Sequence, residues 1–291
     1  MKKVGRYLLT VVPVILGLAI QVLCSFAGAA IYGFFYGRKA AMSGEVVSTA
    51  EVTAGYAGVI IYILILSQLI AFLVFGIWYR KQSKTKVHRS ITKIIHGKTI
   101  GCVVVLGAGL QILTNMALQI AYIFVPEAIE NMSELMEQAG IGEMNVFSMA
   151  ATVILAPVVE EIIFRGVTLN LAKKAGASFV VANVIQAVMF GVYHGNWVQG
   201  VYAGVLGLVL GYVAQKYGSL YPSILLHLAY NLAATLLSAV SASLPETIMT
   251  QIILAVAAFI LVILGICLFK ADSKEEAQEI VESQSVQSEG M

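Results

Sequence analysis

Long apolar runs, separated by short polar or charged breaks, set the pattern of this chain. Eight of them stand out, at roughly 8–36, 56–79, 99–124, 146–171, 178–195, 198–215, 219–241 and 248–269. Each approaches or exceeds the ~20 mostly apolar residues that a helix needs to cross a bilayer. The pattern predicts an all-α fold, a polytopic membrane helix bundle of about eight transmembrane helices. The weakest break is HGNW at 194–197, between the fifth and sixth runs. Between the third and fourth runs, Ile129, Met132, Leu135 and Met136 recur at helical spacing, predicting a short amphipathic helix on the outer surface. The polar, acidic stretch 271–291 is expected to be disordered. The chain therefore divides into spans one to three (1–145), a core bearing the candidate chemistry (146–241), a last span (242–270) and a tail (271–291). The first run begins with basic residues, and AGA at 27–29 loosely fits a signal-peptide cleavage site. But it stays apolar to Tyr36, beyond the ~7–15 residues of a signal-peptide core, so an uncleaved span is expected.

Composition agrees with the pattern. The chain has 291 residues, 59% hydrophobic and 12% charged, against about 25% charged in soluble domains. The charges fall in blocks. The loop 80–98 carries seven Lys/Arg and no acid, whereas 126–143 carries five Glu and no base. Lys2, Lys3 and Arg6 precede the first span, and Lys173, Lys174, Lys216 and Lys270 follow later ones. Cytoplasmic loops carry the excess of Lys and Arg, which places both termini and the 80–98 loop in the cytoplasm of a cell-membrane protein. The expected partner along the flanks is the lipid bilayer. The basic block has no interleaved aromatics, so no nucleic-acid partner is expected, and nothing in the pattern specifies an oligomeric state. Cys24, Cys102 and Cys267 lie in apolar runs, too far apart for a metal motif, and read as small buried hydrophobes.

The fourth run raises the chemical question. Between 144 and 172 the only charged residues are Glu160, Glu161 and Arg165. At a span centre each costs about 2.5–3.5 kcal/mol, so they must pair, face the bundle interior or line water. Glu161 and Arg165 are i,i+4 with the acid N-terminal, the better order for an ion pair. Glu160 lies about 100° round the helix and is left over. A purely structural reading would be a buried ion pair plus a protonated glutamate. The histidines shift the balance. His88 and His96 fall in the basic loop and are expected to be solvated, but His194 and His227 fall in apolar runs. His227 and Asn231 are i,i+4 and share a helix face. Asn183, Gln186, Asn196 and Gln199 are expected to serve first as hydrogen-bonding support.

A carboxylate and an imidazole can hold and deprotonate a water; a second imidazole and an amide can stabilise an oxyanion. Glu160, His194 and His227 could equally ligate zinc, with water in the fourth position, and the spacing leaves zinc and a metal-free site both open. The sole aspartate, Asp272, excludes an aspartate dyad, and no G-x-S-x-G elbow is present.

The motifs E-E-x-x-x-R at 160–165, F-x-x-x-H at 190–194 and H-x-x-x-N at 227–231, in this order on separate runs, resemble the type II CAAX prenyl endopeptidase and bacteriocin-processing family of intramembrane proteases. The resemblance covers about 150–240. It implies an intramembrane endopeptidase acting on a membrane-associated or small peptide or protein substrate, with roles in bacteriocin or pheromone processing or in self-immunity. It assigns water activation to Glu160 and His194, oxyanion stabilisation to His227 and Asn231, and support to Glu161 and Arg165. A metalloprotease and a metal-free glutamate mechanism are both compatible with it. Two other classes compete: a non-catalytic membrane scaffold regulating a partner such as a sensor kinase, and a proton-coupled transporter. A scaffold does not need Glu160 and His194 together, and the absence of an evident internal repeat counts against a transporter.

Overall fold

The computed structural model describes residues 3–43, 48–82, 94–141, 144–241, 245 and 247–289, and among these all regular structure is helical. In chain order the helices are α1 (Lys3–Leu8), α2 (Val12–Ser43), α3 (Thr49–Gln82), α4 (Gly97–Tyr122), α5 (Pro126–Gln138), α6 (Val146–Lys174), α7 (Phe179–Tyr193), α8 (Trp197–Tyr217), α9 (Tyr221–Ser241) and α10 (Ile248–Glu289). Seven stretches among the described residues are long and apolar enough to cross a membrane, with α1 and α2 forming one of them. The chain is thus a polytopic helical membrane bundle, with one correction to the count. All eight apolar runs are helical, but α7 has only 15 residues. It rises about 22 Å, against a hydrocarbon core of about 30 Å.

Between lipid-facing helices the apolar effect offers little, so association relies on close packing at small residues. Here α4 packs closely against both α9 and α10. A Cβ at Gly107 would lie 2.9 Å from the Leu226 carbonyl oxygen on α9, and one at Gly265 would lie 2.8 Å from Leu106 Cα on α4. The pair α7 and α8 also meets backbone to backbone: a Cβ at Gly200 would lie 2.9 Å from the Gly191 carbonyl oxygen. Large apolar side chains such as Val188, Val201, Val205, Ile253 and Ile260 remain exposed on the outside of the bundle.

The helix α6 is not a regular α-helix. It contains two π-helical stretches, Ala150–Leu155 and Ile162–Thr168, on either side of the α-helical turn Ala156–Glu161. Single-turn π segments are uncommon and often accompany function. The first ends two residues before Pro157, which has no N–H to give to the helix ladder.

Several expectations need correction. α5 forms with Met132 buried, but Leu135 is 57% exposed and does not join its inner face. The backbone of α10 continues as helix to Glu289, where polar composition had pointed to a disordered tail. The preceding span has already met the cost of helix nucleation, and Ala, Lys, Glu and Gln propagate a helix readily. Asp272 is buried and accepts a hydrogen bond from Thr99 Oγ1 at 3.0 Å and another from the Tyr217 hydroxyl. His96 is the N-cap of α4 and not simply a solvated loop residue; its Nε2 lies 3.4 Å from Asp272 Oδ1. Of the cysteines, Cys102 is buried, while Cys267 is exposed on the outer face of α10. The stretch 83–93, with His88, lies outside the described residues.

Candidate active site

The site is assembled from α6, α7, α8 and α9. Glu161 and Arg165 are both fully enclosed: Arg165 Nη1 donates to Glu161 Oε1 at 2.8 Å across one turn. Arg165 Nη2 donates to the Gly207 carbonyl on α8 at 3.1 Å, and the guanidinium carbon lies 4.5 Å from the centre of the Phe190 ring on α7. One arginine therefore ties three helices together, and its charge is met by a carboxylate, a carbonyl dipole and an aromatic face.

Glu161 Oε1 also receives His227, whose Nδ1 lies 3.1 Å away. A carboxylate can only accept here, so Nδ1 carries the proton. This fixes the ring, which is 3% exposed, and turns its other nitrogen toward Glu160: His227 Nε2 lies 3.7 Å from Glu160 Oε2. Glu160 keeps 15% of its side chain exposed, unlike its enclosed neighbour. The two adjacent glutamates thus meet opposite edges of one imidazole. A water can lie within hydrogen-bonding distance of both Glu160 Oε2 and His227 Nε2.

Asn231 lies one turn beyond His227 on α9, and its Nδ2 donates to the Thr152 carbonyl in the first π stretch of α6 at 2.8 Å. His194 is the C-cap of α7, where its Nδ1 lies 2.8 Å from the Phe190 carbonyl oxygen. That carbonyl too is an acceptor, so Nδ1 is protonated and Nε2 is the free nitrogen. Among the described residues no hydrogen bond or ion pair joins His194 to Glu160. The Phe190 ring contacts both imidazoles, with centroids 4.8 Å from His194 and 5.7 Å from His227, both edge to face. Glu160, Glu161, Arg165 and His227 are therefore brought into direct contact, Asn231 is one turn away, and His194 is reached through Phe190.

Supporting residues lie behind these. Gln186 Nε2 donates to Asn183 Oδ1 at 2.7 Å and to the Gly207 carbonyl at 2.8 Å, so Gly207 is shared by Arg165 and Gln186. Asn183 Nδ2 donates to the Leu208 carbonyl at 3.0 Å. Their polarity in an apolar run was the signal, and they act as the hydrogen-bonding support expected of them. The sequence did not single out Phe190 as the ring shared by Arg165, His194 and His227, or Thr152 as the carbonyl partner of Asn231. Phe190 belongs to the F-x-x-x-H motif, but an apolar residue in an apolar run carries no signal of its own. Thr152 acts through its backbone, which side-chain identity does not report.

The donor chemistry of Glu160, His194 and His227 suits zinc, and both rings have the Nδ1 hydrogen bond that commonly fixes a histidine ligand. Their placement does not: no three His, Cys, Asp or Glu side chains among the described residues come close enough to hold a metal ion. As arranged, these three side chains do not converge on one ion position, so the site does not fit zinc.

Fold and site together define a polytopic membrane protein with an enclosed carboxylate–imidazole centre. Residues 142–233 match the family model described as Rce1-like, type II CAAX prenyl endopeptidase. The matched segment runs from the start of α6 into α9 and contains all seven residues of the three motifs. No curated protein and no solved structure matches the chain.

Proposed function

We propose that this protein is an intramembrane CAAX-type endopeptidase in which Glu160 is the general base. The observation that carries this reading is the approach of Glu160 Oε2 to His227 Nε2 at 3.7 Å, with the far edge of the ring held by Glu161 and Arg165. With Nδ1 turned to Glu161, Nε2 is the ring nitrogen that faces Glu160. A water between that nitrogen and the Glu160 carboxylate has its oxygen oriented for attack on a peptide carbonyl. Glu160 takes the water proton as the C–O bond forms. The carbonyl oxygen gains charge, and the second N–H of Asn231 is the available amide donor for it. Collapse breaks the C–N bond, and the proton on Glu160 passes to the leaving amine. This differs from the role the motif resemblance gives His194, which here contacts the Phe190 ring and has no bond to Glu160 among the described residues. His194 is assigned to contacts with the bound peptide.

The substrate is proposed to be a small or membrane-associated peptide, as in bacteriocin or pheromone maturation or in self-immunity. Both termini are proposed to be cytoplasmic, with α7 counted as a crossing. The foot of α7 is level with that of α8, since Lys173 bonds Gln215 on α8 and lies 5.4 Å from the Phe179 ring. Cleavage of leader-bearing and CAAX-terminated peptides by the purified protein in liposomes tests the reading. His194→Ala is expected to raise KM more than it lowers kcat. A protein that cleaves neither peptide class, while binding a membrane kinase or another partner, is the scaffold instead.

A further inference from the structure

The amide of Asn231 reaches a carbonyl that an ordinary helix would already have used. In the first π stretch of α6 the ladder runs from each N–H to the carbonyl five residues back, and Ala156 N–H is given to Ala151 O. The next carbonyl in that register belongs to Thr152, and the next N–H would come from residue 157. That residue is proline, which has none. The N–H that an α-helix would supply to Thr152, from Ala156, is already committed one residue earlier. Thr152 O therefore has no donor from its own helix. In a bilayer an unpaired carbonyl is costly, and the donor found there is Asn231 Nδ2, at 2.8 Å from α9.

We infer that Pro157 is a positioning residue for Asn231: by withholding its N–H it leaves the Thr152 carbonyl open, and that carbonyl orients the carboxamide. This deepens the proposed peptidase reading and rests on it only for the catalytic consequence. With one N–H anchored on Thr152, the carboxamide plane is fixed and the other N–H is directed as the oxyanion donor. The effect passes from residue 157 to the site through a backbone atom, with no side-chain contact between Pro157 and Asn231 required.

The bond can be tested without substrate, by thermal unfolding of the full chain in detergent. Asn231→Ala is expected to lower Tm by a few degrees, because it orphans the Thr152 carbonyl. In the P157A background the N–H restored at position 157 takes that carbonyl, so the same N231A change should shift Tm far less. Equal shifts in both backgrounds would overturn the inference. In the peptidase assay P157A is expected to lower kcat roughly ten- to a hundredfold, the scale of a misplaced catalytic group, with KM little changed and no further loss when N231A is added. Coupled Tm shifts with full kcat in P157A would overturn the positioning role. Lactic acid at position 157 gives an ester that lacks both the ring and the N–H. It should retain kcat within a few-fold and keep the wild-type Tm response to N231A, and a loss as large as that of P157A would assign the effect to the ring instead. This variant also decides the matter if P157A does not fold. Coupled Tm shifts in a protein that cleaves no peptide would defeat the peptidase reading and leave the Pro157 assignment standing.

Discussion

At the scale of residues, two adjacent glutamates do different work because of what each touches. Glu161 is enclosed and bonded to Arg165 and His227, whereas Glu160 keeps partial exposure and only the 3.7 Å approach to Nε2. Breaking the enclosed pair should be expensive. Arg165→Met leaves a buried carboxylate without its cation and is expected to destabilise the protein by about 3–5 kcal/mol, read from thermal or denaturant unfolding in detergent. Arg165→Met combined with Glu161→Gln should cost less than the single change, since no charge is then stranded. The i,i+4 spacing made this pair legible in the sequence, and the same spacing marked His227 and Asn231 as sharing a face. The tertiary contacts were not legible. Nothing in H-x-x-x-N indicates that His227 would bridge both glutamates, or that Phe190 would contact both imidazoles. Metal dependence follows from the same placement. With His194 making no bond to the Glu160–His227 pair among the described residues and no three-ligand cluster formed, dialysis against a strong chelator is expected to leave peptidase activity intact, and loss that is restored by zinc would require the site to rearrange around an ion.

At the scale of elements, the site depends on how closely α7 and α8 approach and on the irregular path of α6. Gly191 and Gly200 bring the backbones together, and Gly207 supplies the carbonyl shared by Arg165 and Gln186. Gly200→Ala is expected to destabilise by about 1–3 kcal/mol, as overpacking does, and to lower activity by displacing Phe190 and His194 on the facing helix. Unfolding midpoints and cleavage rates of the same preparation check both. Helix identity was readable from apolar periodicity, because hydrocarbon demands that each backbone group be paired within its own segment. Helix regularity was not. The π stretches arise from local ladder choices around Pro157 and from packing, and hydrophobic pattern is insensitive to a one-residue widening of the turn. The expected angular separation of Glu160 and Glu161 assumed an unbroken α-helix. The turn Ala156–Glu161 that carries both is α-helical, so that part of the geometry survives.

At the scale of the whole molecule, spans were predicted well because length and hydropathy suffice, and the one change, α7, concerns length. Its 15 residues end at Tyr193, with His194 as the C-cap, so the helix that presents this histidine is shorter than a full crossing. The polar ends were less legible. Asp272, in a stretch with a disordered composition, is held by Thr99 and Tyr217 against the start of α4, a contact between residues far apart in the chain. Orientation gives a whole-molecule prediction. Reporter fusions at the N-terminus and at the C-terminus are expected to report the cytoplasmic side at both ends, as the Lys/Arg-rich 80–98 loop implies. Opposite sides would mean that α7 does not count as a crossing.

The central claim is that Glu160 deprotonates a water beside His227, and Glu160→Gln tests it most directly. The change keeps size and hydrogen-bonding capacity but removes the base, whose contribution in enzymes is typically about 10²–10⁴-fold. In the purified protein, kcat for peptide cleavage is expected to fall by at least about a hundredfold with the unfolding midpoint unchanged. Cleavage by the Glu160→Gln protein at the wild-type rate would contradict the account.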